Sequence, residues 1–515
     1  MRSYGALLTP GREKPVQVSG ERTAGRAMAA IAILFFVKAV VLAFWITPLW
    51  DVPDETGHWA IVDDLARGRG FPLPGRSVVP SDVVSDWMRG KPAESPMGNW
   101  VAQHPPLYHL LAAPLLSAAR GLTSDHQWLY RTPRLLSVIC GAAALLLFFR
   151  AFLEASGDPL LSFAAAAGVG STPMYSHMSS GTNHDIFLAF CGGLVALCWV
   201  RFERSGLFSD GLKTAAALSL AGTVKLSAVV LAAALWLLSL SRLATRGSRR
   251  LAQWIVIGAT SVSLPALWTL RHWWLTGNTR VHPISREPFH FTSFLAYLRE
   301  EPVVDHTFKN FFGLMGWTGT GGGSVRWFQI SGLFLAPYLL LALAGSLGAA
   351  VWLWDRQSGH RRSRLLAGAA AAAVFGFCFL WLYARAEGSE PVKRLLYSAL
   401  TAVPFLALPL LFGKRKASEA ILSGSHFVFL VFSLAYLANS FEAYEIYGQM
   451  RATNGRYFFA VLPFLIFAFV FPAASVVRKG RWRDISLLLM LAVLFVNEAA
   501  FFLVKVIPFY RGGTP

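Results

Sequence analysis

The sequence predicts an all-α integral membrane protein, a bundle of about thirteen transmembrane helices with further helices lying on the membrane in its first large loop. Three observations point there. Of 515 residues 55% are apolar and 15% charged, against about 25% charged in soluble domains. The apolar residues gather in runs long enough to cross about 30 Å of hydrocarbon. The 47 Lys and Arg, set against 28 Asp and Glu for a net charge of +19, collect at the ends of those runs. That placement excludes nucleic-acid binding as the meaning of the charge, because cytoplasmic flanks of membrane helices carry such an excess. A collagen-like chain is excluded as well, since the 44 Gly follow no three-residue period.

Residues 1–26 form a basic segment with Arg2, Arg12, Lys14, Arg22 and Arg26, expected in the cytoplasm. The first span, 27–50, has no small-residue cleavage site after it and is expected to stay as an anchor. Further spans are predicted over 132–152, 159–177, 184–203, 212–223, 225–241, 253–275, 331–354, 365–386, 393–413, 418–440, 457–477 and 485–508. The segment 105–120 is about 24 Å long as a helix, too short to cross comfortably. If it lies flat, the clusters at Arg150, Arg201/Arg204/Lys213, Arg242/Arg246/Arg249/Arg250, Arg356/Arg361/Arg362/Arg364, Lys414/Arg415/Lys416 and Arg478/Lys479/Arg481/Arg483 all face the cytoplasm; if it crosses, all face outside, against the positive-inside rule. It is therefore read as interfacial. The N-terminus is then cytoplasmic and the C-terminus outside. Large outer loops span 51–131 and 276–330, and 212–241 is a hairpin whose tip, Thr223-Val224-Lys225, reaches toward the outer half of the bilayer. Cys140, Cys191, Cys198 and Cys378 sit in apolar runs without a CxxC spacing and read as small packing residues.

Under that topology the chemistry belongs outside. Directly after the first span comes Trp50-Asp51-Val52-Pro53-Asp54-Glu55-Thr56-Gly57-His58-Trp59. Asp54 and Glu55 stand at the start of a helix predicted over 54–68, where unpaired N–H groups and the helix dipole favour carboxylates. Capping alone accounts for such a pair in water; at a membrane boundary, ionisable groups are costly and usually have a task. His58 follows Asp54 by one helical turn on the same face. A second acid, Asp185 in Gly181-Thr182-Asn183-His184-Asp185, ends on the same side. The candidate cations are His104, Lys225, Arg394 and Arg456. Lys225, at a hairpin tip, needs an anionic partner, a wet cavity or a path to the interface. Arg456, followed by Tyr457, opens a span and is an interfacial anchor or a ligand contact. Lys38, in mid-span, is a buried pair or a functional contact. Asp63 and Asp64 read as the solvated face of the 54–68 helix. Trp59, Tyr108 and Trp317 are candidates to stack on a sugar or a polyprenyl chain, among aromatics that mostly belong to interfacial belts. The run Gly319-Thr320-Gly321-Gly322-Gly323-Ser324 lacks the Gly-Lys-Ser/Thr ending of a phosphate loop and reads as a flexible loop over the site.

These stretches resemble the class C glycosyltransferases (GT-C), polytopic enzymes that use polyprenyl-phosphate sugars, such as protein O-mannosyltransferases and the lipid A aminoarabinose transferase. Asp54-Glu55 resembles their first-loop acidic motif, Gln103-His104-Pro105-Pro106-Leu107-Tyr108 their entry to the second juxtamembrane helix, Asn183-His184-Asp185 their second-loop acid and Thr223-Val224-Lys225 their threonine-lysine hairpin. The stretches Lys309 to Trp317 and Asn454 to Pro463 resemble a bacterial subgroup of predicted membrane proteins with that architecture. The likeness covers the whole chain and is firmest over 27–241. His104 departs from the pattern, standing where many relatives carry lysine; a histidine is not a permanent cation at neutral pH.

The resemblance implies a catalytic membrane module over 27–241, a variable membrane module over 242–515, and a bacterial plasma-membrane enzyme acting on the extracytoplasmic face. It would move a hexosyl or pentosyl group from a polyprenyl-phosphate donor to a glycan, lipid or protein acceptor. Phosphate is already a competent leaving group, so the reaction needs a base for the acceptor hydroxyl and cations for the phosphate. Asp54 is the base candidate, with Glu55 as its catalytic partner. His58, His104, Tyr108, Asp185, Lys225, Arg456 and Tyr457 are candidate substrate or phosphate contacts. Glu55 and Asp185 are candidate ligands for a divalent ion, magnesium or manganese, if one is used. Direct displacement at the anomeric carbon inverts its configuration. Two alternatives remain open. A transporter or flippase of lipid-linked saccharides predicts mid-membrane charges and an internal repeat. A polysaccharide polymerase or ligase predicts reliance on outer-loop arginine and histidine.

Overall fold

A computed structural model describes residues 16–88, 95–246, 251–279, 288–319, 325–356, 361–382, 391–411, 416–450, 453–477 and 479–512. The chain starts with α1 (Val16–Val41), which continues through one wide turn to Ile46. A layer of short elements follows: α2 (Glu55–Ala66), β1 (Val78–Val79), α3 (Ser81–Trp87), β2 (Met97–Gly98) and α4 (Leu107–Leu122). β1 and β2 pair antiparallel, Val78 opposite Gly98, and α2 packs along α4. Asp63 joins those two helices: its buried carboxylate takes Arg67 at 2.9 Å and Arg120 from α4. The expectation of a solvated Asp63 is thus corrected. Arg120 and the neighbouring Arg69 supply enough positive charge to hold a carboxylate beneath the layer, whereas Asp64 stays partly exposed beside Arg69.

The bundle proper continues with α5 (His126–Arg131), α6 (Arg134–Ser156), α7 (Pro159–Gly170), α8 (Pro173–Ser179), α9 (His184–Ser205), α10 (Phe208–Gly222), α11 (Ala228–Arg246) and α12 (Leu251–Thr276). α6 packs against α1 and α9, and α10 lies between α9 and α12. Small residues permit the close approaches, as membrane helices gain little from burying large apolar ones. Asp158 caps α7 by accepting from the Leu161 N–H and also takes Arg483 at 2.8 Å, fixing α7 to the last long helix.

Next come α13 (Phe291–Glu300), α14 (Val303–Phe312), the antiparallel hairpin of β3 (Leu314–Gly319) and β4 (Val325–Gln329), α15 (Gly332–Arg356), α16 (Arg361–Phe377), α17 (Pro391–Ala407), α18 (Ala417–Tyr447), α19 (Gly455–Val476) and α20 (Arg481–Tyr510). Leu34, Leu267, Leu340, Leu366, Leu489 and Val496 stand exposed on long helices, an inversion of soluble packing that suits a lipid surround.

Each of the thirteen predicted spans falls mainly on helix over its described residues; 383–386 and 412–413 lie outside them. Among the described residues eight helical segments are long and apolar enough to cross a membrane: Gly20–Ile46, His126–Ser156, His184–Ser205, Leu251–Thr276, Gly332–Arg356, Ala417–Tyr447, Gly455–Val476 and Arg481–Tyr510. The other five are shorter. The segment 159–177 is split because Pro173 offers no N–H and holds Thr172 extended (ψ 121°). α4, the helix in 105–120, is not among the eight.

Lys38 resolves as half of an ion pair whose acid is buried and whose lysine is partly exposed. Its Nζ lies 2.8 Å from Glu498 and donates to the Gly170 carbonyl at 2.9 Å, and Ser176 also donates to Glu498. One polar knot therefore joins α1, α7, α8 and α20 inside the bundle.

Candidate active site

The first loop reaches the bundle end through two residues in the left-handed region, Trp50 and Asp54, both at φ 65°. Asp tolerates that conformation because its short polar side chain bonds locally; a Trp there is held by its surroundings. The Trp50 ring is buried against Trp59 and Tyr130 and donates to Asp86 at 2.6 Å. Asp54 precedes the first turn of α2 without capping it. Its carboxylate points away and accepts from the Trp100 indole N–H at 2.8 Å and from the Arg456 guanidinium at 2.5 Å.

Asp185 comes to the same place from the first turn of α9, where the helix dipole favours an acid. Asn183 caps that helix by accepting from the Asp185 N–H, and its amide donates to the Pro53 carbonyl at 3.0 Å, which fastens the second loop to the first. Lys225, from the turn between α10 and α11, lies 2.5 Å from Asp185 and 4.3 Å above the Tyr457 ring. Arg456 Nε is 3.3 Å from Asp185, and its Nη1 donates to the Pro53 carbonyl at 3.1 Å. The Leu107 N–H at the head of α4 donates to the Thr223 carbonyl at 3.2 Å, so the hairpin tip and α4 meet at this level. Two acids and two cations thus alternate in one knot, Asp54–Arg456–Asp185–Lys225. Three are sealed, their side chains 1 to 8% exposed, whereas that of Asp54 is 25% exposed.

Burial pushes the Asp54 carboxyl up, and Arg456, the Trp100 N–H and Lys225 together outweigh it, so its pKa lies below the usual carboxylate value. Asp54 is therefore ionised at neutral pH.

Arg456 owes its position to Gly455. A methyl group there would run into the Phe311 N–H and the Thr307 carbonyl of α14, which crosses directly over the start of α19. Gly181 does the same for Asp185, since a side chain on it would strike Val52.

Glu55 lies behind this knot. Its Oε1 accepts from Arg134 Nε at 2.7 Å and the Thr182 N–H at 2.8 Å; its Oε2 accepts from Arg134 Nη2 at 2.8 Å and the Trp50 N–H at 2.9 Å. Arg134 is fully buried and also donates to the Ala43, Thr47 and Pro48 carbonyls at the end of α1. With each oxygen doubly bonded, Glu55 holds the loops in place and has no lone pair turned to the exposed side. A magnesium or manganese ion on Glu55 and Asp185 would have to displace Arg134 from one and Lys225 with Arg456 from the other. That pair does not fit such an ion, and no step below passes through one.

Tyr108 is fully buried; its hydroxyl bonds Ser137 at 2.8 Å and accepts from the Asn183 N–H at 3.0 Å. It supports the second loop and offers no face for stacking. Trp59 packs in the aromatic cluster with Trp50 and Tyr130. The Trp317 side chain and residues 320–324 of the glycine-rich run lie outside the described residues. Arg394 sits over the Phe379 ring at 5.6 Å, apart from the knot. His58, His109 and His184 form a buried ring cluster beside Asp185, with the half-buried His104 against His184. Burial, reinforced by His109 and Lys225, keeps His58 well below the usual imidazole pKa, and burial takes His109 down to about 3.

Sequence reasoning missed Arg134, Trp100 and His109. Arg134 reads as an ordinary anchor before a span, and nothing in the spacing links it to a carboxylate 79 residues earlier. His109 falls in an apolar run, where a helical period is the only legible signal.

Fold and site together define a polytopic helical membrane protein with a charged knot at one end of its bundle. No protein-family model matches the chain, and no curated protein does. Among solved structures it is similar in fold to ArnT from Cupriavidus metallidurans bound to undecaprenyl phosphate (16% identity, 95% of this chain and 77% of that one, TM-score 0.39) and to the same protein in the apo state (14%, 0.39). It is similar also to the oligosaccharyltransferase of Archaeoglobus fulgidus in complex with zinc and sulfate (13% identity, 94% of this chain, TM-score 0.41), of whose length it spans about half, 53%.

Proposed function

We propose that the protein is a membrane glycosyltransferase of the GT-C type that moves a sugar from a polyprenyl-phosphate donor to an acceptor hydroxyl on the extracytoplasmic face. The observation that carries this reading is the knot itself. It offers one accessible carboxylate, Asp54, backed by two buried cations, Arg456 and Lys225, and it is built at the end of a bundle whose surroundings suit a lipid-borne substrate. Asp54 takes the proton of the acceptor hydroxyl as its oxygen attacks the anomeric carbon. The bond from that carbon to the phosphate oxygen breaks, polyprenyl phosphate leaves as an anion, and the configuration inverts. One carboxylate suffices, because the leaving phosphate needs no proton.

Arg456 links the two halves of the step. While it is bonded to Asp54 it keeps that carboxylate ionised but weakly basic. A phosphate drawing on Arg456 and Lys225 would loosen that bond and raise the basicity of Asp54 as the donor seats. Charge on the departing phosphate then meets cations already in place, the preorganised stabilisation that lowers such barriers most. Asp185 orients both cations, Glu55 and Tyr108 support the loops, and His58, His104 and Tyr457 complete the walls.

Lipid-linked sugar profiling of a strain lacking the protein tests this reading. Accumulation of a monophosphate-linked sugar, reversed by the wild-type gene and not by Asp54→Asn, supports it and names the donor. Unchanged profiles with a lost saccharide transport activity overturn it in favour of a transporter. The one intramembrane acid–base pair shown above, Lys38–Glu498, is satisfied within the bundle, and so gives the transporter reading little support.

A further inference from the structure

We propose that His58, His109 and His184 bind a divalent transition-metal ion of the zinc class, at a site separate from the Asp54–Arg456–Asp185–Lys225 knot. One potential ligand atom from each of the three buried residues lies within 4.8 Å of the others. Two ligands of a tetrahedral zinc at about 2.0–2.1 Å stand about 3.3 Å apart; His58 Nδ1 and His109 Nε2 share a hydrogen bond at 3.0 Å, close to that edge, and a metal ion would replace the shared proton. His184 supplies the third corner, its ring 4.3 Å from that of His58.

Two further features point to a metal rather than to packed imidazoles. Nε2 of His184 lies 3.6 Å from the Asp185 carboxylate, a slight closing short of the carboxylate–histidine hydrogen bond that orients metal-bound imidazoles. Its Nδ1 is buried and has no hydrogen-bond partner among the described residues. An all-nitrogen set selects zinc, cobalt, nickel or copper over magnesium and calcium, which take oxygen. Three protein ligands leave a fourth position, and His104 borders the cluster. The ion would tie α2, α4 and α9 together, the three elements that carry Asp54, the Leu107 contact and Asp185. Metal binding is read independently of sugar transfer.

The experiment uses the full-length protein, purified in detergent from cells grown with zinc. Elemental analysis is expected to give about one zinc per chain. After zinc is removed, cobalt(II) is expected to restore one equivalent with the visible d–d bands of a four- or five-coordinate nitrogen site. His109→Ala and His184→Ala should each lower cobalt affinity at least tenfold. The exposed His126→Ala should not, and neither should Asp54→Asn, which the glycosyltransferase reading requires to be inactive. If the histidine variants fail to fold, the wild-type metal content and cobalt spectrum decide. A monodisperse wild-type protein that carries no metal and gives no cobalt bands overturns the site whatever its transferase activity.

Discussion

Asp54 and Glu55 are neighbours in sequence with opposite fates, and the difference is set by φ at one residue. The left-handed turn at Asp54 sends its carboxylate to the exposed side, where Arg456 and Trp100 meet it, while Glu55 enters α2 and turns back to Arg134. Asn keeps the left-handed conformation and the shape, so Asp54→Asn is expected to lower turnover by roughly 10²–10⁴, the range for losing a general base, with the melting temperature little changed. Glu55→Gln should do the reverse. It leaves the buried Arg134 charge uncompensated, at a cost of about 3–5 kcal/mol, to be read as a fall in thermal midpoint before any kinetic defect in the protein that remains folded. His109 adds a pH dependence. Its folded pKa of about 3 lies below the unfolded value, so the unfolded chain binds more protons between the two. The contribution of this group is full above about pH 6.5 and falls as pH drops toward 3; in metal-free protein His109→Leu should lessen the fall in melting temperature between pH 6.5 and 4, leaving the part that His58 contributes in the same direction. Asp54, Asp185 and Lys225 were legible as candidates because charge at a membrane boundary stands out against 55% apolar residues. The role of Glu55 was not legible, because the conformation of the preceding residue decides it and local composition does not encode that angle.

At the scale of elements, the site depends on close crossings that only glycine allows. Gly455→Ala forces α19 away from α14 and carries Arg456 with it, so donor affinity and turnover should both fall, measured in the same transfer assay. The helices themselves were largely legible from hydropathy. The break inside 159–177 was not read although Pro173 marks it, and Asp63 was misread because its partner Arg120 sits on another helix. The polar knot of Lys38 and Glu498 invites a double-mutant cycle. Lys38→Met, which strands the buried Glu498, should destabilise by about 3–5 kcal/mol; Glu498→Leu, which leaves a partly exposed lysine, should cost less, and the pair together less than Lys38→Met alone. Additive losses by chemical denaturation would show instead that the two act separately.

For the whole molecule, the basic clusters predict an orientation: the Asp54 end outside, the Asp158–Arg483 end in the cytoplasm. In a background with the four cysteines replaced, a single cysteine at Ser124 should react with an impermeant maleimide on intact cells, and one at Ser205 only after permeabilisation; the opposite pattern would reverse the topology. The knot also carries a consequence for the order in which the protein is made. Asp54 and Arg456 lie 402 residues apart, and Asp185 gains its second cation from the same late residue. During synthesis Asp54 must therefore wait for its cation until the chain has been made as far as α19, while Asp185 can pair first with Lys225. Assembly of the charge knot is in this sense a late checkpoint: a chain arrested before α19 has the residues to fold its first loop around Arg134 and Glu55 and still lacks the cation that Asp54 faces.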